Sequence, residues 1–185
     1  MNGSKKIIIC GFGGQGILSL GMMLSYAAMT GGYHTTWISS YGPEMRGGTA
    51  NCSVIYSDTP VTSPLVSKPN VLVVFNELSL EKFEKTLETG GVMLVNSDIV
   101  RTKAKRTDIR VLYIPVDSLV RNVNPKGANT VMFGALLGLF KDIDRLNAEN
   151  AIEQVFAQKP QFVEINKKCL DIGMKYVVNL ERSKK

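Results

Sequence analysis

The sequence predicts an α/β protein built on a mainly parallel open sheet flanked by helices, with a helical C-terminal third. Three observations carry this expectation. The apolar run at 7–10 breaks into a glycine-rich turn, GFGGQG at 11–16, and leads straight into a helical pattern, as a first strand and helix do when an open sheet begins. The runs VLVVF at 71–75 and VMLV at 92–95 are continuously apolar, the pattern of strands buried on both faces. From 129 onward the pattern is helical.

Length and composition set the bounds. A chain of 185 residues fits one domain, 1–185, with a sizeable core. No stretch of about 18 apolar residues lacks charge or turn signals, so no membrane span is expected. The segment after MNGSKK places glycines where a signal peptide needs continuous helix, and the reading is cytoplasmic. Cys10, Cys52 and Cys169 are too few and too scattered for a disulfide framework or a cysteine-rich cluster site, and the first two sit in strand-like runs as small buried side chains. The net charge of +6 is concentrated locally, at Arg101, Lys103, Lys105 and Arg106 and in the tail. Neither interleaved aromatics nor a recognition helix accompanies it, so nucleic acid is not an expected partner. A solvated loop is the favoured reading of 101–110, with contact to an acidic partner or a phosphate-bearing ligand as the other.

The elements follow in order. Gly11, Gly13 and Gly16 fit the G-x-G-x-x-G spacing of a Rossmann-like first turn, a weak signal alone because any parallel α/β protein turns after its first strand. Residues 17–29 read as a helix apolar all round, which must be covered by the sheet beneath and by another helix or a subunit above. Gly31 and Gly32 end it. Residues 34–40, HTTWISS, read as the second strand. That strand ends in Ser39 and Ser40, where a dinucleotide site would hold its ribose with an acidic residue, so conventional NAD binding is poorly supported. Arg46 is a weak candidate for an NADP 2′-phosphate.

The loop SYGPEMRGG at 40–48 holds Glu44 and Arg46 between Gly42-Pro43 and Gly47-Gly48. It either meets a ligand or partner through Arg46 or is a turn closed by its own Glu44–Arg46 pair; spacing does not separate the two. Residues 50–56 alternate as a strand at or near an edge, and 58–69, with three prolines, form a loop. After the strand at 71–75 come Asn76 and Glu77, then a helix capped by Ser79 and running to about 88. Strands at 92–95 and 111–114 follow. Helices are expected at 129–143, where Gly134, Ala135 and Gly138 admit a close backbone, from a cap at Asn147 to about 159, and from Pro160 to about 178.

Catalytic equipment is scarce. The single histidine, His34, opens a strand, so no histidine-based metal site or triad can be assembled from this chain alone. The residue after Gly16 is Ile17, not the lysine of a phosphate loop, and no closely spaced carboxylates suggest magnesium. A glycine turn with ligand-like loops and almost no proton-transfer groups is what a part of a larger machine looks like.

GFGGQG at 11–16, SYGPEMRGG at 40–48, NE at 76–77 and N-x-x-x-x-G-A at 129–135 resemble the gamma subunit or gamma domain of 2-oxoacid:ferredoxin (or flavodoxin) oxidoreductases. The resemblance covers nearly the whole chain. It implies a subunit of an enzyme that oxidatively decarboxylates a 2-oxoacid, reduces ferredoxin or flavodoxin through iron–sulfur clusters and transfers the acyl group to coenzyme A. The implied partners are alpha, beta and ferredoxin-like delta subunits, which chiefly hold the thiamine diphosphate and clusters, and the complexes can pair as homodimers. The implied site is Gly11, Gly13, Gly14, Gln15, Gly16 and Arg46 for a coenzyme A phosphate. Tyr41, Gly42, Pro43, Glu44, Gly47, Gly48, Asn76 and Asn129 are the implied ligand or partner contacts. Nothing selects the 2-oxoacid, with 2-oxoglutarate slightly ahead of pyruvate or a branched-chain acid. A stand-alone nucleotide-binding oxidoreductase and a plain interaction domain are the competing readings.

Overall fold

The computed structural model describes residues 3–41 and 49–183, with only the backbone of Tyr41 and Thr49. Along the chain these form β1 (Lys5–Phe12), α1 (Ile17–Thr30), β2 (His34–Tyr41), β3 (Thr49–Ser57), β4 (Val71–Val74), α2 (Glu77–Phe83), β5 (Val92–Asn96) and β6 (Arg110–Ile114). Then come α3 (Val116–Val120), α4 (Ala128–Phe140), α5 (Arg145–Val155) and α6 (Val163–Arg182). The six strands make one sheet in the order β2-β3-β1-β4-β5-β6.

Five strands run the same way, and β3 runs against both of its neighbours. The seven-residue connection between β2 and β3 explains the exception, because a parallel crossover needs a dozen residues or more and a shorter link can only reverse the chain. Although β3 lies next to the edge as expected, the edge itself is β2.

Alternation along β1 divides the interior into two cores. Ile7 and Ile9 face α1 and the C-terminal helices, whereas Ile8 and Cys10 face α2. Since α1 leads from β1 towards one edge and α2 leads from β4 towards the other on the opposite face, the strand order reverses between β1 and β4.

Two features fix the layers. In the larger core, α4 and α6 touch backbone to backbone. A methyl group at Gly173 would land on the Val131 carbonyl, and one at Gly134 on the Leu170 carbonyl, so both positions exclude every other residue. This resolves the expected close approach at Gly134 in favour of packing inside the chain. In the smaller core, the link from β5 to β6 contains no helix. It is an extended strap pinned along α2: Glu77 Oε1 accepts the backbone N–H groups of Arg101 (2.6 Å) and Thr102 (3.0 Å), and Glu84 Oε1 those of Lys105 (2.6 Å) and Arg106 (2.8 Å). Arg106 also binds Asp108 and the carbonyls of Glu84 and Leu87. The basic stretch is thus an anchored cover, with Arg101 and Lys105 turned to solvent and the Lys103 ammonium lying over the Tyr113 ring, 4.0 Å from its centre.

Several boundaries differ from expectation for local reasons. Asn76, not Ser79, caps α2, accepting the Ser79 N–H at 2.8 Å, and the helix tightens into a 3₁₀ turn at Glu84–Thr86. Asp144, not Asn147, caps α5, accepting the Asn147 N–H at 2.8 Å, and that helix ends at Val155. The α4 helix stops at Phe140 because Lys141 turns left-handed, at φ 58°. The short α3 was not anticipated. At the amino end of the sheet, Lys5 pairs with Asp142 (3.0 Å), which also accepts the Tyr56 hydroxyl (3.0 Å). Burial and then the Asp142 charge push the Tyr56 hydroxyl pKa upward.

All three cysteines are buried thiols. Burial raises Cys52 to about 12 and Cys169 to about 11, and pushes Cys10 up as well. Below pH about 9 these thiols are protonated whether folded or unfolded. As pH rises further, the unfolded thiols ionise first and stability falls until the folded values are passed. Denaturant titrations should show declining stability above about pH 9 that is reduced in Cys→Ala variants. Gly173→Ala should lower the unfolding free energy by about 2–4 kcal/mol in the same assay.

Candidate functional site

The reversal point between β1 and β4 places a crevice outside their carboxyl ends, where open α/β sheets bind ligands. Three chain segments converge there. The first is the glycine turn. Gly14 and Gly16 adopt φ of 96° and 74°, a region that costs a residue with a Cβ about 1–2 kcal/mol. Gly11 acts differently from the turn-forming role its place in the motif suggests. It is buried in β1, and a Cβ there would strike the side chains of Gln15, Ile17 and Phe75. Gly13 is half-buried and Gly14 open to solvent.

Gln15 locks the turn. Its Oε1 accepts the Phe12 N–H at 2.6 Å, and its Nε2 donates to the Phe75 carbonyl at 3.3 Å, joining the ends of β1 and β4. The second segment is the turn from β4 into α2. Asn76 is 1% exposed, and while its Oδ1 caps the helix, its Nδ2 is buried without a hydrogen-bond partner. A buried donor of this kind costs about 1–3 kcal/mol unless something accepts from it.

The third segment is the start of α4. Asn129, 6% exposed, donates from Nδ2 to the Gly16 carbonyl at 3.3 Å, and a Cβ on Gly16 would collide with its side chain. The first turns of α1 and α4 therefore meet. Neither has a side-chain cap or an acidic residue in its first turn. Each leaves backbone N–H groups and a partial positive charge directed outward, the arrangement that receives anions at helix N-termini.

The link between β2 and β3 leaves and re-enters the sheet on this same rim, since Tyr41 and Gly11 both pair with Ala50, and Phe12 with Thr49. Gly42, Pro43, Glu44, Arg46, Gly47 and Gly48 lie outside the described residues. Among the described residues no group of three or more His, Cys, Asp or Glu could hold a metal ion. The strand β2 brings no carboxylate to the crevice.

Residues 6–176 match the family model described as pyruvate ferredoxin/flavodoxin oxidoreductase. The chain belongs to that family. It is 37% identical over 170 residues to the ketoisovalerate oxidoreductase subunit VorA of Methanothermobacter marburgensis, covering 91% of this chain and 35% of VorA. It is 37% identical over 152 residues to the 2-oxoglutarate synthase subunit KorC of Methanocaldococcus jannaschii, covering 80% of this chain and 81% of KorC. Among solved structures, the gamma subunit of a keto/oxoacid ferredoxin oxidoreductase from Geobacter sulfurreducens superposes with a TM-score of 0.79 at 29% identity, covering 95% of this chain and 99% of that one. The chain thus spans about a third of VorA but most of the other two. No described helix is long and apolar enough to cross a membrane.

Of the sites anticipated from sequence, Gly11, Gly13, Gly14, Gln15, Gly16, Asn76 and Asn129 lie on the segments that converge at this rim. The partners of Gln15, the Phe12 N–H and Phe75 carbonyl, are backbone groups with no side-chain signature. The caps were more readable: Asn76 precedes Ser79 by three, the spacing of a cap and the N–H it accepts. Removing the lock tests its role. Gln15→Ala leaves the Phe12 N–H and Phe75 carbonyl unpaired and should cost about 1–3 kcal/mol of stability, with faster amide exchange confined to the turn.

Proposed function

We propose that the chain is the gamma unit of a multi-subunit 2-oxoacid:acceptor oxidoreductase, which converts a 2-oxoacid to an acyl-CoA and passes the electrons to ferredoxin or flavodoxin. In this reading the chain moves no proton itself. It seats a phosphate of coenzyme A and completes a centre whose thiamine diphosphate and iron–sulfur clusters sit on alpha, beta and ferredoxin-like delta subunits, the whole pairing as a homodimer of complexes. Relatives named for ketoisovalerate and for 2-oxoglutarate are equally similar, at 37%, which keeps the proposal at the level of the 2-oxoacid class.

The observation that carries the reading is the meeting of two uncapped helix starts at Gly16. A dianionic phosphate there gains from both, about 0.3–1 kcal/mol each at an exposed site, beyond the hydrogen bonds themselves. Arg46 supplies a planar cation with two parallel donors for phosphate oxygens. The spare Asn76 Nδ2 supplies a neutral donor for a carbonyl or phosphate oxygen. Glycine at 13 and 14 lets the ligand approach the backbone without meeting a side chain.

The test is reconstitution with the other subunits and separate titration of each substrate. Gly16→Ala and Arg46→Ala should each raise the KM for coenzyme A about tenfold or more, equivalent to about 1.4 kcal/mol, while the KM for the 2-oxoacid changes little. Unchanged coenzyme A kinetics in both variants would remove the phosphate seat. Turnover by the isolated chain would remove the subunit reading altogether.

A further inference from the structure

The 14 residues of α1 and the 8 of β2 include no Asp, Glu, Lys or Arg. A helix whose outer side faces water carries charged and polar groups there. The sheet lies beneath α1, and α4 and α5 pack along its flank, yet the stripe Leu18, Met22, Ser25 and Met29 at helical spacing stays half-buried or exposed, Met29 at 52%. Beside it runs β2, the edge of the sheet, whose outer side has no backbone partner among the described residues. Trp37 turns towards α1 and, with Met22, Ser25 and Tyr26, lines a shallow cleft of about 220 Å³. None of the usual devices that protect an edge is present in HTTWISSY: no lysine, no proline, no inward charge.

We propose that this flank is a permanent interface with another subunit of the same complex, which lays an uncharged extended strand along β2 and covers the α1 stripe. Depletion of charge with exposed apolar and aromatic side chains is the composition of obligate interfaces, not of transient ones. In the VorA relative this unit makes up 35% of a longer chain, so there it is permanently joined to a large neighbour. A second copy fits less well, because two chains of net charge +6 repel and nothing on this flank offsets that. The partner's placement in a 2-oxoacid oxidoreductase rests on the function proposed above; the uncovered flank does not.

The experiment uses the complex purified after co-expression of its subunits. Amides of residues 34–41 should exchange about tenfold or more slowly in the complex than in the isolated chain. The double variant Ser25→Lys with Ser39→Lys places two charges at half-buried positions on the α1 side of the flank, Ser39 pairing with Cys52 of the larger core. It should keep the isolated chain's thermal midpoint within a few degrees, as expected of substitutions away from the core, yet recovery with the other subunits should fall about tenfold or more, since a charge buried in an interface is not tolerated. Wild-type recovery of the variant together with equal exchange in the two states overturns the proposal. So does protection of 34–41 in the isolated chain through a concentration-dependent dimer that the substitutions abolish. A complex that loses the variant chain but oxidises no 2-oxoacid rejects the functional reading and keeps the interface. An active complex indifferent to the substitutions does the reverse.

Discussion

Every surface of β1 is occupied, and the rest of the molecule is arranged by that constraint. Its two faces are buried in different cores, one edge is paired antiparallel with β3 and the other parallel with β4. A strand so enclosed can make contact with anything outside only where it ends. The end is therefore where the chemistry must lie, and it is also where the parallel neighbour β4 stops. Phe75 closes the β1–β4 ladder by donating its N–H to the Cys10 carbonyl at 2.9 Å, and Gln15 carries that pairing beyond the last rung.

The helices then give the crevice its character. A turn that delivers a strand directly into a helix leaves the helix's first N–H groups facing the space above the sheet. What is unusual is that α4, far along the chain, brings its own first turn to the same place. The glycine contacts between α4 and α6 hold it there, because two helices in backbone contact cannot slide without clashing. A packing feature more than twenty residues from Asn129 in sequence, at Leu170 and Gly173, thereby fixes the electrostatics of the glycine turn.

Much of this was legible in the sequence, and what was not has identifiable causes. Strand runs such as VLVVF are read easily because burial on both faces leaves an uninterrupted apolar signal. The glycine turn followed from its motif, whereas the contact of Asn129 with Gly16 joins residues 113 apart and had no signal in the sequence. The direction of β3 was not read from the sequence: nothing in its side chains signals it, and only the seven-residue link, too short for a parallel crossover, accounts for it. Caps were misplaced by three residues at both α2 and α5, since the residue that donates the capped N–H, Ser79 or Asn147, is itself a good capping type. The strap was hidden because its stability lies in backbone donors that find Glu77 and Glu84 on a different element; two glutamates seven residues apart on one side of a helix look like ordinary surface charge.

That strap has an implication for how this surface can change over time. Four of its amides are committed to two carboxylates and a fifth, from Ala104, to the Tyr113 hydroxyl, so the path of the chain is fixed without help from the outward side chains of Arg101 and Lys105. Arg101 and Lys105 can drift in charge and size while the cover over the smaller core keeps its shape, whereas Lys103, whose ammonium lies 4.0 Å from the centre of the Tyr113 ring, is tied to the cover it belongs to.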